Sequence, residues 1–541
     1  MASPLLSAVS VQVSVLVLVG FLVGPASGGN ILVFPGEFSH WLNMKSLVEE
    51  LHRRNHSISI IVPTGSPSVP YNSTQRRDRF NFIVFEAHYV TFLLSFLEEF
   101  MHFSMYESAG ASLWTKVSVG FSWLRRSLVM QKQTCNGLVR NAALMSRLRD
   151  AKFDLVLWDP MSHCGEVVAQ LLQLPLVASL RFTFGAVIER HCGHAHLPPS
   201  YVPSSPLPYS DVMTFGERTT SLLINLLSST LSVLFWRISL DGFYSDILGK
   251  ETSTTVCETI GRTDLWLIRT YWDIESPRPL PPNFRYVGGL HCKPANPLPK
   301  DLEEFVTSAD SGVVVVTFGS MVNNLTTERA EVIATALAQI PQKVIWRYSG
   351  PTPRSLGPNT KLLHWIPQND LLGHPQTRAF VAHGGTNGLY ESLFHGVPIV
   401  GIPLFGDQSD NLARVSRRGG GVVLDFNSMT SQEMTSAINE VINNPSYKQS
   451  ILRASAVHRD RPLTALQEAA FWVEFVLRNG ASHLRLASYE LNWFQYYSLD
   501  VAAFLLVVTA TAIAITATVV RKGLRLVRRT KTRTEPGLNQ D

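Results

Sequence analysis

Cysteine is scarce in this chain. Its 541 residues include five cysteines at wide and irregular spacings: Cys135, Cys164, Cys192, Cys257 and Cys292. A small secreted domain held by a disulfide framework needs several bridges close together, so this pattern excludes that class. One isolated bridge stays an open alternative. Internal repeats and low-complexity tracts are also absent, which excludes a repeat architecture.

Groupings of metal ligands are rare as well. The segment 190–196 (RHCGHAH) is the best candidate, but it lacks a second cysteine or a pair of carboxylates. Zinc sites need three or four such ligands at suitable spacings. We therefore expect no metal site.

Positive charge is in excess only at one end of the chain. The formal net charge is +5, and the basic residues of the last stretch account for it: Arg521, Lys522, Arg525, Arg528, Arg529, Lys531 and Arg533. Charge confined to a tail excludes an extended nucleic-acid-binding face.

A long uncharged run lies immediately before this tail. Residues 501–520 read VAAFLLVVTATAIAITATVV, and a helix of about 20 apolar residues crosses a ~30 Å hydrocarbon core. A buried core helix is the alternative. The basic flank on one side, with Tyr496 and Tyr497 on the other, is typical of a membrane span with its tail in the cytosol.

The amino end is also apolar. Residues 11–23 resemble the hydrophobic region of a signal peptide, and residues 26–28 (ASG) offer a cleavage site, although the usual basic start is missing. With the carboxyl-terminal span, this predicts a type I membrane protein. In that topology Asn72 and Asn324 are candidate glycosylation sites, and Asn55 is a poorer one because it abuts a predicted strand.

The most informative segment is residues 365–411, which contains two successive strand-to-helix turns. A buried strand is predicted to end at His383, Gly384 and Gly385 break it, and Thr386 begins a helix. The start of such a helix offers free N–H groups and the positive end of the helix dipole. Both favour the binding of a diphosphate. The segment therefore predicts a nucleotide site.

Polar side chains around this turn suit the rest of a nucleotide. Asn387 and Glu391 share one helix face at i and i+4, so the amide lies near the phosphates and the carboxylate a turn deeper, near ribose hydroxyls. Trp365 offers an indole face for a base, and Gln368 offers an amide. Asn387 and Glu391 would thus hold one nucleotide along a single helix, with Trp365 and Gln368 upstream of it.

Downstream, the apolar run 397–404 leads to Asp407 and Gln408, which suit sugar hydroxyls. Each residue taken alone also has a structural interpretation: His383 as a strand-end cap, Trp365 as core, Asp407 as a turn residue. Their order within one segment favours a nucleotide-sugar site.

This segment resembles the signature of the UDP-glycosyltransferases. Its wording, WIPQNDLLGHP followed by AHGG and GIPLFGDQ, is similar to that of the vertebrate microsomal UDP-glucuronosyltransferases, and the likeness covers about residues 30–520. The resemblance implies stacking on uracil by the tryptophan, diphosphate contacts from the histidine and glycines, ribose binding by the glutamate and donor-sugar binding by the Asp-Gln pair. The implied donor-binding residues are Ser320, Arg347, Trp365, Gln368, His383, Gly384, Gly385, Asn387, Glu391, Asp407 and Gln408.

Apolar segments alternate with helical patterns, which predicts an α/β fold with two parallel sheets. The predicted strands are 30–34, 57–62, 153–158 and 175–179 in the first half, and 313–318, 344–346, 378–383 and 399–403 in the second. The resemblance implies the GT-B type, in which two Rossmann-like domains face a cleft, here with one carboxyl-terminal transmembrane helix. The Pro-rich stretch 275–299 reads as a stiff linker between the halves. Long apolar insertions at 89–123 and 219–240 are either core helices or, as in the family, walls of the acceptor pocket.

The predicted domains follow from these patterns. They are a signal peptide (1–28), an acceptor-binding domain (29–285), a UDP-sugar-binding domain (286–460), a crossing-back helix with a juxtamembrane segment (461–498), a transmembrane helix (499–520) and a basic cytosolic tail (521–541).

A catalytic base is expected in the loop that leaves the first strand, where His40 can face the cleft. Asp159, at the end of the FDLVLWD strand, supplies a carboxylate that orients the imidazole. A helix cap before residues 164–172 is the alternative for Asp159. Both positions match the catalytic dyad of the family, which favours the catalytic role.

The resemblance implies an inverting UDP-glucuronosyltransferase of the endoplasmic reticulum membrane, with lumenal catalytic domains and small lipophilic acceptors. It implies a UDP-sugar co-substrate, no cofactor, and homo- or hetero-oligomers with related transferases. A glucose or galactose donor is the alternative within the class. A UDP-sugar epimerase and a non-catalytic subunit are alternatives from other classes. The chain ends EPGLNQD without the lysine-based retrieval motif of many family members.

Overall fold

The computed structural model describes residues 28–533, apart from 73–78, 88–89, 163, 181–187, 205–206, 250–253 and 323. The chain divides into two compact units, Met1–Leu484 and Arg485–Asp541. The predicted signal peptide, at 1–28, lies outside the described residues except for its last residue. The end of the basic tail, at 534–541, also lies outside them.

Seven parallel strands form the first sheet, in the order β3-β2-β1-β4-β5-β6-β7. They are β1 (Asn30–Phe34), β2 (Ser57–Pro63), β3 (Asn81–Phe85), β4 (Leu155–Trp158), β5 (Leu176–Leu180), β6 (Leu265–Ile268) and β7 (Phe284–Tyr286). The strand order reverses between β1 and β4, and ligands of such sheets bind at this switch point beyond the carboxyl ends. Phe34 pairs with Trp158 there, so the chain leaving β1 and the chain leaving β4 emerge side by side.

Helices cover both faces of this sheet, as parallel strands require. They are α1 (Ser39–Arg53), α2 (Val90–His102), α3 (Leu113–Val139), α4 (Ala142–Asp150), α5 (Gly165–Leu172), α6 (Phe215–Trp236), α7 (Gly242–Leu248) and α8 (Val256–Gly261), with single π-helical turns at Phe103–Glu107, Ile188–Cys192 and Arg237–Asp241. The two apolar insertions are therefore helical. Helix α6 is not a core helix, because most of its leucines are exposed.

Six parallel strands form the second sheet, in the order β10-β9-β8-β11-β12-β13. They are β8 (Val313–Thr317), β9 (Lys343–Arg347), β10 (Thr360–Leu363), β11 (Thr377–Ala382), β12 (Ile399–Gly401) and β13 (Gly421–Val423). The surrounding helices are α9 (Lys300–Thr307), α10 (Thr327–Ala338), α11 (Gln368–Leu372), α12 (Thr386–His395), α13 (Gln408–Arg417), α14 (Ser431–Asn443) and α15 (Pro445–Arg459). The two parallel α/β sheets confirm the predicted fold class.

Helix α16 (Ala465–Asn479) returns from the second sheet to the first. Its buried face, with Ala469 and Val473, packs with Ile31 of β1 and Met44 of α1 in one apolar cluster. An ion pair between Glu474 and Arg54, at 3.1 Å, borders the contact.

Two disulfides lie in the first half of the chain, Cys135–Cys164 and Cys192–Cys257, and Cys292 is free. The spacing of the cysteines excluded a disulfide framework and allowed for one isolated bridge, whereas the structure has two. Partners separated by 29 and 65 residues give no spacing signal, and the topology of the sheet is what brings them together. The first bridge joins α3 to the residue before α5.

The second unit contains a 3-10 turn (Ala487–Glu490), α17 (Trp493–Tyr496) and α18 (Leu499–Arg533). Two helical stretches among the described residues are long and apolar enough to cross a membrane, Phe215–Leu248 and Leu499–Thr530. The second contains the predicted span and continues as helix into the basic tail.

Several elements differ from the sequence prediction. Strands β3, β6, β10 and β13 were not predicted, and β7 lies inside the stretch expected to be a linker. Helix α1 begins at Ser39, so His40 lies in its first turn and not in the preceding loop. The prediction of a loop at His40 rests on the Gly and Pro residues of the PGEFSHW segment, which favour a turn.

Candidate active site

The chain that leaves β1 turns sharply before helix α1. Phe38 has a φ of 53°, a conformation that is costly for a bulky residue, and its N–H donates to Ser68 Oγ at 2.7 Å. A carbon added at Gly36 would lie 2.7 Å from His40 Cβ and 3.1 Å from Asp159 Cγ. The close packing of this turn sets the position of His40.

His40 and Asp159 lie together at the switch point of the first sheet. His40 Nδ1 is 2.9 Å from Asp159 Oδ2, and His40 is 14% exposed whereas Asp159 is fully buried. The hydrogen bond to the carboxylate is therefore made by Nδ1 and not by Nε2. Helix α5 is preceded by Cys164, so Asp159 does not cap it, and the alternative structural role is wrong.

A buried arginine, which was not predicted from the sequence, contacts both residues of the dyad. Arg269 directly follows β6, and its guanidinium donates to Asp159 Oδ2 at 3.2 Å and to the main-chain oxygen of His40 at 3.3 Å. Burial alone would raise the pKa of Asp159, but the charges of His40 and Arg269 and the Met161 amide hold the pKa below its ordinary value. Asp159 is therefore ionised, as an orienting carboxylate must be.

A cavity of about 380 Å³ lies beyond the carboxyl ends of the second sheet's strands. Its volume is in the range of small-molecule sites. The predicted donor residues that line it are Ser320, Arg347, Trp365, Gln368, His383, Gly385, Asn387, Glu391, Asp407 and Gln408. Ser39 and Leu42, which flank His40 in α1, line the same cavity.

Gly384 is the predicted donor residue that does not line the cavity. Its φ is +86° and a side chain there would meet Leu412 and the Gln408 main chain, so it serves the turn between β11 and α12. Gly385 and Gly319, by contrast, leave room for His383, whose Nε2 would lie 2.4 and 2.6 Å from carbons added at these positions. The absence of side chains at Gly319 and Gly385 thus provides the space that the His383 ring occupies.

Glu391 lies one turn into α12 and lines the cavity. Gln368 Nε2 donates to its Oε2 at 2.5 Å, and burial raises the pKa of Glu391 to about 7. A carboxylate of this kind accepts from hydroxyl donors when it is ionised. Its contact with ribose stays a prediction.

Trp365 and Arg347 form one rim of the cavity. Trp365 is 62% exposed, which is unusual for so large an apolar side chain and leaves its ring accessible for stacking. The Arg347 guanidinium lies 5.1 Å from the Trp365 ring, and it donates to the main-chain oxygen of Gly319.

The opposite rim holds Asp407 and Gln408 at the start of α13. Gln408 Oε1 accepts from the main-chain amides of Leu404 and Phe405, at 2.7 and 3.1 Å, so its NH₂ group is what remains to donate to a ligand. Asn411 donates to Asp407 Oδ2 at 2.6 Å. Asn411 was not predicted, and it orients the predicted carboxylate.

A smaller cavity, of about 70 Å³, lies beside the dyad. Its apolar wall includes Phe34, Ile61, Phe85, Met130 and Leu138, and its polar residues are Glu37, Gln131, Thr134 and Ser162. The Ser162 N–H donates to the Asp159 main-chain oxygen at 2.9 Å. Ser66 and Ser68 donate to Glu37, whose pKa is raised by burial.

The described residues contain no group of three or more histidine, cysteine, aspartate and glutamate side chains that would hold a metal ion. In the segment 190–196, Cys192 is bonded to Cys257 and supplies no thiolate. The candidate glycosylation sites Asn55, Asn72 and Asn324 are all exposed, and their modification stays a prediction.

The family model described as UDP-glucoronosyl and UDP-glucosyl transferase matches residues 29–534. The chain belongs to this family. It is 50% identical over 479 residues to UDP-glucuronosyltransferase 2C1 of Oryctolagus cuniculus, covering 88% of this chain and 94% of the relative. It is 48% identical over 496 residues to UDP-glucuronosyltransferase 2A2 of Mus musculus, covering 90% and 92%.

Solved glycosyltransferases share the fold of this family member. The calicheamicin glycosyltransferase CalG4 is similar with a TM-score of 0.52 and 19% identity, covering 84% of this chain and 99% of that one. The spinosyn forosaminyltransferase SpnP is similar with a TM-score of 0.57 and 16% identity, covering 84% and 100%. The predicted family and the predicted glycosyltransferase class are confirmed.

Proposed function

We propose that this family member transfers glucuronic acid from UDP-glucuronate to small lipophilic acceptors, with inversion at the anomeric carbon. One observation carries the proposal: the His40–Asp159 pair of the first sheet adjoins a nucleotide-sized cavity of the second, because Ser39 and Leu42 beside His40 line that cavity. A base and a donor site are thereby held in one cleft.

In the proposed reaction, His40 Nε2 takes the proton of the acceptor hydroxyl as its oxygen attacks the anomeric carbon. Asp159 holds Nδ1–H, fixes the ring and stabilises the imidazolium that forms. Arg269 keeps the carboxylate ionised and in place. The small cavity beside Asp159 offers an apolar wall to the body of a lipophilic acceptor.

UDP leaves as the new bond forms. In the proposed assignment, Trp365 stacks on uracil, Glu391 accepts from ribose, and His383 and Ser320 contact the diphosphate. Backbone N–H groups at the start of α12 stabilise the negative charge on the departing diphosphate. The proposal therefore includes UDP-sugar as a co-substrate and no cofactor or metal.

The identity of the donor sugar rests on the relatives, which are named UDP-glucuronosyltransferases. Asp407 and the free NH₂ of Gln408 suit hydroxyls of glucose and glucuronic acid alike. A glucuronate carboxylate requires a cation, and the basic residues that line the cavity are His291, Lys293, Arg347 and His383. A glucose or galactose donor is the alternative.

We also propose that the body is lumenal, in the endoplasmic reticulum, and that Leu499–Thr530 contains the membrane span. The apolar length of this helix and the basic residues at its end support this topology. Assembly with related transferases is part of the same proposal.

The test is turnover of one phenol with UDP-glucuronate, UDP-glucose and UDP-galactose, measured as UDP release with and without acceptor. Wild-type enzyme should prefer UDP-glucuronate, and His40→Ala should lose transfer while it retains UDP affinity. Preference for a neutral sugar would overturn the glucuronosyl assignment. Epimerised UDP-sugar without acceptor would indicate an epimerase, and no turnover at all would indicate a non-catalytic subunit.

A further inference from the structure

Three side chains meet at the donor cavity, which His291 and Asn387 line, and none of them takes part in a chemical step of the proposed reaction. They come from three separate segments: Asn43 from α1, His291 from the chain between the sheets, and Asn387 from α12. Asn43 Nδ2 lies 3.0 Å from His291 Nδ1 and 3.1 Å from Asn387 Oδ1, and His291 Nε2 lies 3.1 Å from the main-chain oxygen of Asn387. Each member therefore bonds to both of the others.

The proton positions in this triangle follow from the acceptors. The Asn387 main-chain oxygen can only accept, so His291 Nε2 carries a proton and donates. In a neutral ring Nδ1 is then an acceptor, and it takes one proton of the Asn43 amide while the other goes to Asn387 Oδ1. Burial lowers the pKa of His291 to about 4, which agrees with a neutral ring.

The triangle lies between the two halves of the proposed active site. Asn43 is one helical turn after His40 in α1, and Asn387 is one turn before Glu391 in α12. His291 lines the donor cavity, is 10% exposed, and has Nε2 at 3.8 Å from Glu391 Oε1. A hydrogen bond of Asn387 Nδ2 to the Ser39 main-chain oxygen, at 3.5 Å, is a weaker link between the same two helices.

We propose that Asn43 and His291 are positioning residues, which fix the helix carrying the base against the helix carrying the nucleotide contacts. This inference rests on the proposed function and extends it. The attacking oxygen is held by one sheet's elements and the anomeric carbon by the other's. Their approach therefore depends on the contact between α1 and α12, and a misplacement of about 1 Å costs on the order of 100-fold in rate.

The structure offers variants that separate positioning from nucleotide binding and from folding. Asn43→Ala removes the shared donor from a side chain that does not line the cavity. His291→Phe keeps a ring and removes both hydrogen bonds. His291→Gln restores one donor and one acceptor on a single group. Tyr390→Phe is the matched control, since Tyr390 lies on α12, bonds across to Thr270 at 3.3 Å and does not line the cavity.

The experiment compares kcat, UDP affinity and thermal unfolding of the full-length enzyme in detergent, with the donor that the wild-type enzyme prefers. Asn43→Ala and His291→Phe should lower kcat by about 10- to 100-fold with UDP affinity retained. His291→Gln should recover part of kcat, and Tyr390→Phe should lose thermal stability but keep kcat.

Unchanged kcat in both Asn43→Ala and His291→Phe would overturn the proposal. A parallel loss of UDP affinity would also overturn it, because His291 would then be a nucleotide contact. If Tyr390→Phe lost as much kcat as Asn43→Ala and His291→Phe, general destabilisation would explain all three losses, and the result would count against positioning. Failure of the proposed function has a different signature, since wild-type transfer would then be absent or indifferent to His40→Ala.

Discussion

Substitution of Gly36 by alanine tests how closely the dyad depends on the turn before α1. Gly36 is not among the glycines with positive φ, so the backbone tolerates alanine and only space is limiting. The new carbon would lie 2.7 Å from His40 Cβ and 3.1 Å from both Cγ and Oδ2 of Asp159. Carbon atoms pack at about 3.5–4.0 Å, so His40 must move by roughly 1 Å.

A displacement of that size is expected to reduce kcat by on the order of 100-fold. UDP affinity should stay unchanged, because the nucleotide contacts lie on the second sheet. The assay is phenol turnover together with UDP binding in detergent. Gly120→Ala is the matched control, since a side chain added at Gly120 meets nothing within 4 Å. Wild-type turnover in Gly36→Ala, or loss of UDP binding along with turnover, would refute the reasoning.

Further predictions concern the other parts of the site. Asp159→Asn should keep the fold and lose most of kcat, because the imidazolium loses its carboxylate; a pH–rate profile like that of wild type would contradict this. UDP affinity should weaken as the pH falls below about 7, where Glu391 becomes protonated, by up to about tenfold per pH unit, and Glu391→Gln should remove that dependence. Trp365→Ala should weaken UDP binding by about 1–3 kcal/mol if the indole stacks on the base, measured by calorimetry. In sealed microsomes, protease should remove only the basic tail, and digestion of the body would reverse the proposed topology.

Much of the nucleotide side of the site was predictable because it is local in sequence. The helix predicted to begin at Thr386 is the observed α12. The residues from Trp365 to Gln408 come together because consecutive strand-to-helix turns meet at one edge of a parallel sheet. The strands that were missed are short or half-buried. Strand β10 is partly exposed along its whole length, so it lacks the continuous apolar run of a central parallel strand.

The contacts that the sequence could not predict are long-range. Arg269 is an arginine at a strand end, and its role depends on the pairing that brings β6 near β4 through β5. Asn43 and His291 are 248 residues apart, and no spacing rule connects them. The first turn of α1 depends on the positive φ of Phe38, a conformation that residue type alone does not predict.

The return of α16 to the first sheet has a consequence for synthesis of the chain. Domains generally fold in order as they leave the ribosome, but the apolar face around Ile31 and Met44 is covered by residues of Ala465–Asn479. The first domain therefore stays incomplete until nearly the whole body has been translated. Its exposed face must be kept from aggregating in the meantime, so a fragment that ends after residue 285 should be insoluble even though it contains every strand of its sheet except the last residue of β7.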